Sequence, residues 1–77
     1  MKKTTTTQRT FVKARTDIHF GNYWEISGKV GSRVRSMGIV WQTKDGDWAA
    51  EAQNTGNSWD GLDSMQDAID IICEEYL

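Results

Sequence analysis

The 77-residue chain has room for one domain with a small core, and its four tryptophans can bury much apolar surface with few residues. The single cysteine excludes an internal disulfide. Because the chain has only one histidine and one cysteine, a conventional zinc site is also excluded. The net charge of −2 conceals an uneven distribution. All nine Lys and Arg residues lie in residues 1–44, whereas nine of the eleven Asp and Glu residues lie in residues 45–77. This asymmetry indicates either an electrostatic partner or neutralisation within the chain, with basic strands near an acidic helix.

The N-terminal residues 1–9 are predicted to form a disordered basic arm, since they contain no apolar residue after Met1. Residues 10–77 are predicted to form a single compact α+β domain. No apolar run reaches the roughly 18 residues that span a bilayer, and the basic start lacks the apolar stretch of a secretory signal. We therefore expect a cytoplasmic protein without a membrane partner.

Alternation of apolar and polar residues predicts two strands after the arm. The first covers residues 10–20, and the second covers residues 23–29 with Trp24 and Ile26 on one face. A turn at Gly21–Asn22 separates them. The following segment, GKVGSRVRS, fits either a long hairpin tip or a glycine-broken strand that continues into the next one.

A hairpin is predicted around Asp45–Gly46, a dipeptide favoured in two-residue type I′ turns because both positions need positive φ. With this turn, Thr43 pairs with Trp48, and Trp41 pairs with Ala50. One face of the hairpin then carries Ile39, Trp41, Trp48, Ala50 and Ala52. We expect the helix to lie across this face.

The C-terminal segment, LDSMQDAIDIICEEYL, predicts an amphipathic helix over residues 63–76 with Ser64 as N-cap. Apolar residues recur at helical spacing at Met65, Ala68, Ile69, Ile72, Cys73 and Tyr76. A short fifth extended segment is predicted around Trp59. The predicted fold class is α+β, an antiparallel sheet of three to five strands with one C-terminal helix packed across one face. The predicted core contains Ile39, Trp41, Trp48, Ile69, Ile72 and Cys73.

The sequence contains no catalytic or metal motif, so we predict a protein that is not an enzyme and has no cofactor or metal. His19 has no neighbouring nucleophile or acid. Cys73 falls on the apolar helix face, which favours a buried reduced thiol over a reactive or intermolecular one. Asp45 and Asp47 lack the other ligands of a calcium-binding loop.

Two charged surfaces are candidates for binding. The helix carboxylates have no basic residue among them, and such a stripe suits a partner with a basic surface. The predicted partner-binding residues are Asp47, Glu51, Asp67, Asp70 and Glu74. The alternative is a nucleic-acid partner bound by the arm and the sheet, although the pI of about 5.2 is low for such a protein. The predicted nucleic-acid-binding residues are Lys13, Arg15, Lys29, Arg33 and Arg35.

Residues 39–74 resemble the HicB-type antitoxin domain and related β-β-β-α modules through KDGDWAAEA, a glycine-bearing third segment and the helix start LDSMQDAIDII. The family's leucine-proline-glycine-cysteine segment before the helix is absent here. The resemblance implies a non-enzymatic and often oligomeric partner-binding module, with DNA binding carried by a separate domain. The overall character is also similar to that of small phage- or prophage-encoded inhibitors. We therefore expect a protein that binds and occludes a protein partner through a charged surface, with a homodimer as an open alternative.

Overall fold

A computed structural model describes residues 10–76, which form one antiparallel sheet and one helix. The elements are β1 (Thr10–Asp17), β2 (Gly21–Val30), β3 (Arg33–Gln42), β4 (Trp48–Ala52), β5 (Ser58–Leu62) and α1 (Met65–Glu74). The sheet order β1-β2-β3-β4-β5 follows the chain, so every strand pairs with its neighbour in sequence. The predicted α+β class is thereby confirmed. The predicted arm over residues 1–9 lies outside the described residues.

The first strand ends at Asp17, earlier than predicted, because the chain turns there. The Asp17 carboxylate accepts hydrogen bonds from the backbone N–H groups of His19, at 2.8 Å, and Phe20, at 2.9 Å. This is the way in which an aspartate side chain stabilises a turn. Gly21 then begins β2 with a φ of 98°, a conformation that an L side chain rarely adopts.

The glycine- and arginine-rich segment forms a tight hairpin. Val30 of β2 pairs with Arg33 of β3, which leaves Gly31 and Ser32 as a two-residue connection. Gly31 has a φ of 68°, which suits such a turn. The segment is therefore a hairpin between two strands of ten residues each, with a much shorter tip than the one considered from the sequence.

The β3–β4 hairpin differs from the predicted register by one residue. The Thr43 N–H donates to the Asp47 carbonyl at 2.8 Å, and the Gly46 N–H donates to the Thr43 carbonyl at 3.0 Å. Gly46 has a φ of 93°, so the connection is a three-residue loop that ends in a left-handed glycine rather than a two-residue type I′ turn. As a result, Gln42 rather than Thr43 pairs with Trp48.

This shift moves two predicted core residues to the other side of the sheet. Val40 pairs with Ala50, and both pack in the core with α1. Because successive side chains on a strand alternate between faces, Ile39 and Trp41 point away from the helix. The predicted core is therefore wrong for Ile39 and Trp41. Trp48 stays on the helix side and packs against the core.

α1 packs against β3, β4 and β5. The core cluster contains Ile26, Met37, Val40, Ala50, Ala68, Ile69 and Ile72. Cys73 is half-buried against this cluster. Gly38 permits the close approach of β4 and α1, because a Cβ at that position would collide with the Glu51 backbone carbonyl of β4 and lie 3.1 Å from Cδ1 of Ile72 in α1.

Both ends of α1 are anchored. The Ser64 hydroxyl oxygen accepts the Asp67 N–H at 3.1 Å, which confirms the predicted N-cap. Beyond the other end, the Tyr76 hydroxyl donates to the Met37 carbonyl at 3.0 Å. The acidic sequence of the last helical turn would allow that turn to fray. The hydrogen bond of Tyr76 ties it to β3. No helix within residues 10–76 is long and apolar enough to cross a bilayer.

Candidate partner-binding surfaces

The outer side of α1 and the neighbouring end of β5 enclose an open cleft of about 390 Å³, called here the acidic cleft. It is lined by Gly61, Leu62, Asp63, Asp67, Asp70, Ile71 and Glu74. Three of the carboxylates, Asp67, Asp70 and Glu74, recur along α1 at intervals of three and four residues, so they lie on one side of it, and Asp63 joins them from just before the N-cap. Leu62 and Ile71 are half-buried between them and supply an apolar floor.

No basic residue within 10–76 forms an ion pair with a carboxylate of the acidic cleft. Asp70 instead accepts a hydrogen bond from the Gln66 amide at 2.9 Å, and Asp67 lies in the first turn, where the helix dipole favours a negative charge. The negative charge of the cleft is thus left uncompensated by these residues.

The structure brings together only part of the predicted acidic set. Asp67, Asp70 and Glu74 share the acidic cleft, and Asp63 joins them. Asp47 lies in the β3–β4 loop and does not line the cleft. Glu51 pairs with Ile39 and lies on the opposite face of the sheet. The spacing of four residues between Asp63 and Asp67 was the signal that could have added Asp63 to the predicted site.

The predicted basic set is also divided. By strand alternation Lys13, Arg15 and Lys29 lie on the sheet face away from α1, whereas Arg33 and Arg35 lie on the helix side. Arg35 lines a separate pocket beside Tyr76. These five residues therefore do not form one basic surface.

The meander keeps the two charge types apart. Basic residues are concentrated in β1, β2 and β3 and acidic residues in β4, β5 and α1, and the sheet order preserves this division in space. Arg15 approaches Glu25 at 3.4 Å within the β1–β2 hairpin rather than a helix carboxylate. An exposed pair of this kind contributes little to stability. The ion pair recorded within residues 10–76 thus lies inside the basic strands rather than between these strands and α1.

The sheet face away from α1 is called here the open face. Two rows of side chains cross it in strand order: Lys13, Glu25, Ile39 and Glu51 form one row, and Arg15, Tyr23, Trp41 and Ala49 form the other. Phe20 folds onto the second row from the β1–β2 loop. Its ring meets Tyr23 edge-on at 5.6 Å between centroids and Trp41 at 5.3 Å.

Sequence reasoning missed this aromatic cluster for one reason. The type I′ register placed Trp41 beneath the helix, so no aromatic neighbour on the open face could be assigned to Tyr23. The turn residues leave this choice open, because Ile39 and Trp41 are turned inward only if the loop at Gly46 contains two residues. The three-residue alternative exposes both.

Two titratable groups among the described residues have shifted pKa values. Burial, reinforced by the nearby charges of Asp70 and Glu74, raises the pKa of the Cys73 thiol, which disfavours the nucleophilic thiolate. Hydrogen bonds from the Phe20 and His19 N–H groups lower the pKa of the Asp17 carboxyl. Residues 10–76 contain no group of His, Cys, Asp or Glu side chains arranged to hold a metal ion.

Comparison with known proteins gives no match to a protein-family model, to a curated protein or to a solved structure. The resemblance to HicB-type antitoxin domains stays a prediction from the sequence.

Proposed function

We propose that this is a non-enzymatic protein-binding module that acts as an inhibitor by occluding a basic surface of its partner. The observation that carries the proposal is the acidic cleft, where Asp63, Asp67, Asp70 and Glu74 surround apolar Leu62 and Ile71 without a compensating cation among residues 10–76.

The combination of charge and apolar surface indicates the type of partner. Carboxylates repel phosphates, so the cleft suits lysine and arginine side chains rather than a nucleic acid. The half-buried side chains of Leu62 and Ile71 add apolar contact, as in the centres of protein interfaces. Carboxylates mounted on a helix are held in place before binding, which limits the entropy lost on association.

The test replaces three carboxylates of the cleft by their amides, Asp67→Asn, Asp70→Asn and Glu74→Gln. The parent chain is used to capture its partner from the native host, and association rates are then measured for parent and variant with the purified partner. We expect the variant to associate about tenfold or more slowly at low salt, because electrostatic steering is lost, and the difference to shrink as salt is added.

A matched control removes two positive charges from the open face, Lys13→Gln with Arg15→Gln. The proposal requires this variant to bind no more slowly than the parent. An unchanged rate for the triple amide variant would show that the cleft is only a solvated surface.

The second candidate is nucleic-acid binding through the basic residues of the sheet. It is favoured by the position of Arg15 directly beside Tyr23 on the open face, since cations and stacking aromatics together bind single strands. Glu25 and Glu51 on the same face oppose it. Steeply salt-dependent binding of DNA or RNA that is lost in the Lys13→Ala/Arg15→Ala variant of the open face, but kept in the Arg33→Ala/Arg35→Ala variant, would support this candidate over the first.

A further inference from the structure

The open face is an uncovered sheet surface with a substantial apolar part. α1 covers the opposite face, and within residues 10–76 no element packs over Tyr23, Ile39 and Trp41 except the loop that carries Phe20. Phe20 itself is 50% exposed. An apolar surface of this kind on one side of a sheet is usually covered by a second layer.

Two charges at opposite ends of one row on the open face are complementary under two-fold symmetry. Across the row formed by β1, β2, β3 and β4, Lys13 stands at one end and Glu51 at the other, with Glu25 and Ile39 between them. Glu25 already has a partner in Arg15 of its own chain. A two-fold axis parallel to the strands, placed between β2 and β3, exchanges β1 with β4 and β2 with β3. Each Lys13 then lies opposite Glu51 of the second copy.

We propose that the open face binds the open face of a second copy of this chain, which gives a symmetric dimer with two facing sheets. The same axis places Tyr23 opposite Trp41 of the second copy, so the two aromatic clusters meet at the centre. Facing sheets pack about 10 Å apart with their strands rotated by about 30°, which leaves room for these side chains to interdigitate.

The available area fits a reversible dimer. The four strands that this axis brings face to face, about 4.8 Å apart and about 27 Å long on average, offer roughly 500 Å² per copy, or about 1,000 Å² in total. This total is that of a weak, transient interface. The helices lie on the outside of such a dimer, so both acidic clefts stay open, and the dimer is independent of the proposed inhibitory function.

The experiment measures the dimer dissociation constant of the full chain by sedimentation equilibrium at low salt. Lys13→Glu and Glu51→Lys should each raise the constant about tenfold or more, since each places like charges opposite one another at two symmetric positions. The double variant Lys13→Glu/Glu51→Lys should return to within about threefold of the parent, and so should an equimolar mixture of the two single variants.

Two further variants locate the contact between the copies. Trp41→Ser should abolish the dimer while the melting transition is retained, because Trp41 lies outside the core. Asp70→Lys in the acidic cleft should leave the dimer constant unchanged, even if it prevents binding of a basic partner.

Several outcomes would overturn the proposal. The chain could be monomeric up to millimolar concentration, or the dimer could be insensitive to both single charge reversals. Binding of a nucleic acid or an unrelated protein to the open face of a chain that never self-associates would also overturn it.

Discussion

The β1–β2 hairpin and the unit formed by β3, β4, β5 and α1 belong to one sheet but are stabilised differently. In the second unit Met37, Val40, Ala50 and Ile72 are fully buried. No residue of β1 is buried, and β1 packs against β2. The exposed large hydrophobic residues are Phe11, Val12, Ile18, Phe20 and Val34. All of them lie in the first three strands or the connecting β1–β2 loop.

This difference separates stability from binding within a small domain. Full burial of an isoleucine side chain contributes about 1.5–3 kcal/mol, so the helix-covered unit contains most of the hydrophobic stabilisation. A two-stranded hairpin alone is marginal in water, and Ile26 of β2 is the buried link between the hairpin and the core. The apolar residues of β1 are thus left available for contacts with another molecule.

The largest difference between the two regions is expected when an isoleucine in each of them is replaced by aspartate. Ile69→Asp buries an unpaired charge in the core and should destabilise the fold by more than about 4 kcal/mol, with loss of the cooperative melt. Ile18→Asp alters a residue that is 91% exposed in the β1–β2 loop and should leave the melting midpoint nearly unchanged. Thermal unfolding followed by circular dichroism measures both. Equal destabilisation by the two variants would contradict the division into two regions.

A smaller effect on the free energy of unfolding is expected when one tyrosine hydroxyl in each region is removed. Tyr76→Phe removes the hydrogen bond to the Met37 carbonyl and should lower the free energy of unfolding by about 1 kcal/mol. Tyr23→Phe removes a hydroxyl without a hydrogen-bond partner among residues 10–76 and should change it by less than about 0.5 kcal/mol. Urea titration compares the two. A larger loss for Tyr23→Phe would mean that the hairpin contributes more to stability than its burial indicates.

The smallest effect concerns pH and is confined to the β1–β2 loop. The pKa of Asp17 is lowered below its ordinary value of 3.8 by the Phe20 and His19 N–H groups, so its charged form stabilises the turn. This stabilisation is present above the ordinary pKa and is lost as the pH falls through the lowered value. The amide resonances of His19 and Phe20 should therefore shift with a midpoint below 3.8. Asp17→Asn should abolish the shift, and a midpoint above the ordinary pKa would contradict the hydrogen-bonded turn.

The elements of the fold that depend only on neighbouring residues in the sequence were predictable. The helix follows from apolar residues at 3.6-residue spacing and from the cap at Ser64, both of which depend on neighbours in sequence. The faces of Trp24 and Ile26 follow from simple alternation. Because Asp67, Asp70 and Glu74 lie on one helix, their shared surface could be predicted as well.

The β3–β4 register could not be predicted from the turn residues alone. Asp45–Gly46 is compatible with a two-residue loop and with a three-residue loop, since both accept a left-handed glycine at position 46. The choice depends on contacts beyond the turn, such as those at Gly38, where a side chain would collide with the β4 backbone and crowd Ile72 of α1. The shift of one residue turns every β3 side chain to the other face, which is why Ile39 and Trp41 were misplaced together, whereas the β4 residues keep their predicted faces.

The order of the strands has a consequence for biosynthesis. Each strand pairs with the one made just before it, so only short loops need to close, and pairing can proceed as the chain leaves the ribosome. The helix that covers Val40 and Ala50 is made after all five strands. Until α1 has emerged, the sheet exposes the apolar residues of both faces, which is the state most prone to aggregation. The vulnerable interval for this protein lasts from the pairing of the strands until the whole of α1 has emerged and packed on the sheet.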